Sequence, residues 1–263
     1  HKLSQGGYKF TSRAQVIFEE LTKTLNIESI LIDESDEFVI WMNEPGLINP
    51  IKQTPKSCND LIKYITKNPE IDYFEQQDDW EIRCRNDLDI AICALDGLTS
   101  AEIFPVSRWQ VLLYSSSIWK ENNNIEKYYL KMLNVVNRLS DNYFELIYGP
   151  LATWINNVVY EVKLNVDSYI DLCHRILLLS KKTTRYSSDF ASYAINDPIG
   201  KTTEALLIYW ARHELKDNIG IESRYQKIFD LLCLTEEEKY QPARFILCRN
   251  IALFYRIDSP WTE

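Results

Sequence analysis

Glycine and proline are too scarce in this chain for a fold that must turn every few residues. Only 7 Gly and 9 Pro are spread over 263 residues. An all-β sandwich or barrel places turn signals roughly every 8–12 residues. Between the few breakers run long stretches with apolar residues at helical spacing. The pattern predicts an all-α fold.

The helices can be placed from stripes and caps. Val16, Phe18, Leu21 and Leu25 mark one face of a helix over 13–26. Ile30–Ile32 and Phe38–Trp41 are β-prone runs split by an acidic turn, which fits a small hairpin over 29–42 or a loop packed on the helices. Pro45, Pro50 and Pro55 punctuate a loop, and Ser57 caps a helix that stops before Pro69. Trp80, Cys84, Leu88, Ala91 and Leu95 form a stripe over 74–96 that Gly97 ends, and Pro105 opens a helix through Tyr114.

Further stripes run through Ile125–Leu139, Phe144–Val158 and Tyr169–Ser180, the last capped by Asp167. Pro150 should kink or divide the second of these near Gly149. A polar loop of about ten residues follows, longer than most helix connections. Three helices then span 198–216, 221–233 and 236–257. About ten helices joined mostly by short loops suggest an irregular α-solenoid of stacked antiparallel helix pairs, with a compact bundle as the alternative. Residues 1–73 read as N-terminal helices with an irregular segment, and 74–263 as the solenoid region, or the two as one continuous domain.

Charge narrows the function classes. The formal charge is −9, and the short basic clusters Lys181–Lys182 and Arg83/Arg85 sit among acids. A nucleic-acid backbone binder normally shows a basic face, so charge argues against one. No run of about 18 apolar residues exists to cross a membrane. The start, His1 to Gly7, lacks Met and an apolar signal core, and reads as an excision boundary in a larger protein. None of the six cysteines, Cys58, Cys84, Cys93, Cys173, Cys233 and Cys248, forms a C-x-x-C pair. They are expected to be reduced, buried, structural thiols of a cytoplasmic protein.

No catalytic, cofactor or metal motif is present. His174 has Asp171 three residues earlier, which fits a surface ion pair, and His213 lies at a charged helix end. The acidic runs at Asp33/Asp36 and Asp78/Asp79 fit solvated faces; a metal-dependent nuclease or hydrolase is the alternative use. The turn Asn196-Asp197-Pro198-Ile199-Gly200 joins a loop to a helix. Asn196 or Asp197 can cap it, Pro198 suits its first turn, and Gly200 allows close approach. Lys201, Thr202 and Thr203 would help hold an anion there, but the glycine spacing is not that of a P-loop and the cap is acidic. A packing joint is the expectation. The chain is rich in Trp and Tyr; such rings more often fill the core between helices than face a partner, and Trp80, Trp109 and Trp210 are the candidates for an interaction groove if any of them does.

Two strings carry a family resemblance. Ala194–Leu207 and Ala243–Glu263 resemble a helical region of large bacterial proteins, often C-terminal to a sirtuin-like NAD-hydrolysing domain. The matching positions are Asn196, Pro198, Gly200, Glu204 and Ala205, then Phe254, Tyr255, Asp258 and Trp261. A softer match upstream involves Trp80, Asp87, Ala94, Leu95 and Trp109. The resemblance implies a non-enzymatic scaffold or sensor in anti-phage defence. Its partners would be other domains of its parent, further copies of itself, or a phage protein. The NAD-binding residues of the sirtuin-like domain have no counterpart here. A nucleic-acid-binding solenoid remains a further alternative.

Overall fold

The computed structural model describes residues 51–71, 78–117, 125–163, 167–182 and 189–263, together with Val16. The helix expected over 13–26, apart from Val16, and the hairpin expected over 29–42 lie outside the described residues, as do Asp33 and Asp36. Val16 is helical and exposed. Chain contacts divide the molecule into two units, residues 1–48 and 49–263. The description below concerns the second unit.

Thirteen α-helices make up its described part. They are α1 Cys58–Lys67, α2 Trp80–Asn86, α3 Leu88–Ser100, α4 Val106–Tyr114, α5 Ile125–Asn137, α6 Asp141–Val158 and α7 Asp167–Leu179. Then come α8 Phe190–Asn196, α9 Pro198–Ala211, α10 Ser223–Cys233, α11 Gln241–Arg249, α12 Ile251–Ile257 and α13 Ser259–Thr262. Among the described residues the only β feature is an isolated parallel bridge between Lys52 and Asp78. The fold is all-α.

Local chemistry sets some boundaries and tertiary contacts set others. Ser57 caps α1 by accepting the Asp60 amide at 3.2 Å, and its hydroxyl donates to the Asp60 carboxylate at 2.7 Å. Leu61 and Ile65 point into the core, and the helix stops at Asn68, ahead of Pro69. The helix expected over 74–96 starts at Trp80 and is broken at Asp87, whose ψ of 53° is not helical. A tertiary tie accompanies the break: Arg83 bonds Asp87 at 3.2 Å while its Nε and Nη2 hold Thr54. Gly97 does not end α3. It lies inside the helix because α1 crosses there, and an added Cβ would sit 2.5 Å from Ile62 Cδ1. Pro150 does not divide α6 either. It is buried within the helix, and Leu146, whose carbonyl loses its partner, lies on the exposed side.

The C-terminal helices are shorter than their stripes suggest. α9 ends at Ala211, where the Arg212 guanidinium donates to the carbonyls of Val159 and Val162. The expected 236–257 helix is broken at Asn250 into α11 and α12.

Up to α5 each helix packs on the one two further along, and α6 then reaches α9, three further along. α1 packs on α3, α3 on α5 and α5 on α7; α2 packs on α4, α4 on α6, α6 on α9 and α9 on α11. α9 is the hub, also touching α7 and α8. Nine of its residues are buried around most of its circumference, as expected for a helix surrounded by others.

The cysteine expectation needs correction. Cys58 and Cys93 form a disulfide that joins the start of α1 to α3, with Cα atoms 6.1 Å apart. Cys84 and Cys173 are free and buried as expected, but Cys233 and Cys248 are free and exposed. Two helices packed face to face bring Cys58 and Cys93 within bridging distance, which residue spacing does not disclose. The thiol argument for a compartment therefore falls away. Among the described residues no helix is long and apolar enough to cross a membrane.

Candidate functional site

Asp197 makes the turn at 196–200 a joint. Its carboxylate accepts the Ile199 amide at 2.8 Å, so the acidic side chain itself occupies the start of α9. Asn196 instead donates back to the Ser192 carbonyl at 2.8 Å and closes α8. Thr202 and Thr203 are fully buried, and their hydroxyls donate to the carbonyls of Pro198 and Ile199 at 2.7 and 2.8 Å. Lys201 reaches Thr153 at 3.2 Å. Gly200 faces the Ala194 carbonyl, where no Cβ fits. The groups that would have held an anion are thus engaged: the Ile199 amide with the Asp197 cap, the Thr202 and Thr203 hydroxyls within α9, and Lys201 with Thr153 of α6. Glu204, one turn on, is only partly buried.

The second family string builds a groove. Asp258 leaves the helical region, with φ −150° and ψ 81°, and separates α12 from α13. Its Oδ1 accepts the Trp261 amide at 3.1 Å and its Oδ2 accepts the Ile221 amide at 3.0 Å. One carboxylate therefore caps α13 and clasps the strand of chain leading into α10. Pro260 sits in the first turn of α13, where its missing N–H costs nothing. The Trp261 indole N–H then donates to Asp230 Oδ1 on α10 at 2.7 Å. Its ring packs on Phe254, centroids 5.2 Å apart.

Between α10, α11, α12 and α13 lies a groove of about 350 Å³. Leu247, Ile251, Phe254 and Trp261 give it apolar walls. Its two charged groups have partners. Asp230 holds Trp261, and Arg244 donates to the carbonyls of Leu234 and Glu237 at 2.7 and 3.2 Å, closing the end of α10. Cys233 and Cys248 also open onto it. Partial burial pushes the Cys233 thiol up; Asp230 and Cys248 add to this and Arg244 opposes it. The surface suits apolar contact.

No family model, curated protein or solved structure matches this chain.

The three Trp candidates for an interaction groove lie in the core. Trp80 and Trp109 are 0% exposed and Trp210 is 2% exposed. Trp80 donates to the Arg108 carbonyl at 3.1 Å, and Trp210 stacks on Phe254 with centroids 5.3 Å apart. Their helical spacing marks buried stripes, and a ring packed on all sides offers nothing to a partner. Trp261, read from the sequence only as a family marker, is the partly exposed ring that lines the groove.

The acids proposed for hydrolysis are committed elsewhere. Asp78 pairs with Arg108 at 2.9 Å, accepts the Tyr64 hydroxyl at 3.1 Å and caps Trp80. Asp79 accepts the Thr54 amide and hydroxyl at 2.8 and 2.5 Å. Among the described residues no group of three or more His, Cys, Asp or Glu could hold a metal ion. His213 meets the Tyr225 hydroxyl at 3.4 Å within an aromatic cluster, away from the simple charged helix end its sequence suggests.

Proposed function

We propose that this chain is a non-enzymatic helical scaffold or sensor region of a larger bacterial anti-phage defence protein. It contacts a protein partner through the C-terminal groove, and its stacked helices form an irregular solenoid. One observation carries the reading: the residues of the C-terminal string fold into a clasp whose product is an apolar groove with its charges already paired. The packing of each helix from α1 to α5 on the one two further along supports the solenoid. Ile251 supplies an exposed apolar side chain on that groove. Aromatic and aliphatic side chains on a concave surface favour an apolar segment of a protein over a charged ligand.

The metal-dependent hydrolase reading has less support, because Asp78 and Asp79 already hold arginine, threonine and backbone groups. The nucleic-acid reading has less support because the chain carries a formal charge of −9.

Calorimetric titration of this chain with the other domains of its parent, and with phage structural proteins, tests the proposal. Binding that Ile251→Asp weakens at least about tenfold, or ~1.4 kcal/mol, supports it. A chain that stays monomeric and binds none of them refutes it.

A further inference from the structure

The four free thiols fall into two classes. Cys84 and Cys173 are fully buried, whereas Cys233 and Cys248 are exposed and face one groove. They come from different helices that pack directly: Cys233 is the last residue of α10 and Cys248 lies in the last turn of α11. On α10, Asp230 and Cys233 share a face at i, i+3; on α11, Arg244 and Cys248 share one at i, i+4. All four line the groove, so two helix faces meet with a sulfur on each.

We propose that Cys233 and Cys248 form an oxidative modification site, which a hydroperoxide converts to an intramolecular disulfide across the groove. The Cys248 thiolate attacks a peroxide oxygen and the O–O bond breaks. Cys248 becomes a sulfenic acid, and the hydroperoxide leaves as water or an alcohol. The Cys233 sulfur then attacks the sulfenic sulfur, the S–S bond forms and the S–O bond breaks. The departing hydroxide takes the thiol proton and leaves as water. Two thiols give up two electrons and two protons, and the hydroperoxide accepts them.

The roles follow from the surroundings. Cys233 is partly buried against the groove wall, which raises its thiol above the ordinary value and suits it to the resolving step. An inter-helix bridge is already present in this fold between Cys58 and Cys93, so packed helices here do bring Cα atoms to bridging separation. A second bridge would fix α10 to α11 along the groove. The chemistry rests on the thiols alone; its effect on a partner would rest on the reading of the groove given above.

The test treats the full chain with hydrogen peroxide, then unfolds it and counts thiols. The expected count falls from four to two per chain. Non-reducing digestion and mass spectrometry should show the Cys233 and Cys248 peptides joined. Cys233→Ser and Cys248→Ser should each abolish that joined peptide, and Cys233→Ser should accumulate a dimedone-reactive sulfenic acid at Cys248. A count that stays at four would overturn the proposal. So would losses through inter-chain disulfides or over-oxidised cysteines without the joined peptide. If the joined peptide forms while no partner binds the groove, the scaffold reading fails and the thiol site stands.

Discussion

Gly200 lies so close to the backbone of Ala194 that a Cβ in its place would sit 1.7 Å from the Ala194 carbonyl oxygen. That oxygen belongs to α8 and cannot swing away as a side-chain tip could. Gly200→Ala should therefore cost at least ~3 kcal/mol or prevent folding, the upper range for overpacking. Gly149→Ala is the control. Its Cβ would meet only Pro198 Cγ, at 3.7 Å. Replacing that mid-helix glycine should add up to about 1 kcal/mol. Urea unfolding midpoints measure both, and similar effects at the two sites would contradict the packing joint.

Arg108 predicts a second contrast. Its guanidinium is buried, pairs with Asp78, and also donates to the carbonyls of Asn68 and Pro69 at distances between 3.0 and 3.3 Å. Arg108→Met leaves Asp78 desolvated without its partner, a loss of about 3 to 5 kcal/mol. Lys63→Met breaks an ion pair whose side chains are 75% and 61% exposed, and should cost less than about 1 kcal/mol. Equal losses in denaturant titrations would show that the Arg108 pair is not buried as described.

Tyr129 gives a prediction of opposite sign. Its hydroxyl is buried and has no hydrogen-bond partner among the described residues, as is true of the Trp154 indole N–H beside it. Tyr129→Phe removes a desolvated polar group and keeps the ring stacked on Trp154. Thermal unfolding should show a gain of about 1 kcal/mol. A loss of that size would reveal a bonded hydroxyl.

Buried neutral groups set the alkaline limit of stability. Burial pushes Tyr129, Tyr169 and Tyr225 above the ordinary tyrosine value of 10.0, and Cys84 and Cys173 above the thiol value of 9.0. Their folded values are raised, so their contribution is complete below the unfolded values. Above those values the unfolded chain loses protons that the folded chain keeps, and stability falls as pH rises. The decline should begin near the thiol value of 9.0 and steepen past 10.0. Each group adds a slope of ~1.4 kcal/mol per pH unit. Unfolding midpoints from pH ~8 to 11 measure this, and a flat profile would contradict it.

The parts of the fold that sequence discloses are those decided locally. Ser57 before α1 and Pro198 in the first turn of α9 act on their own backbone neighbours, and both mark helix starts as read. The breaks at Asp87 and Asn250 were not legible. At Asp87 the tie runs through Arg83 to Thr54, 29 residues away. Gly97 shows the same limit, since its role depends on Ile62 crossing above it. The groove was legible only in part. Asp-Ser-Pro-Trp at 258–261 displays a cap and a first-turn proline, but nothing links Trp261 to Asp230, 31 residues away. Nor does helical spacing separate a Trp packed in the core, as Trp80, Trp109 and Trp210 are, from one facing a partner.

The groove closed by Asp258 and Trp261 is proposed to contact a protein partner. A photo-crosslinking residue at position 251, introduced into the parent protein in cells, tests it most directly. The account predicts a crosslink to one defined protein or parent domain from position 251, and none from the exposed position 102. Crosslinking from 102 as strong as from 251, or none from 251, would contradict it.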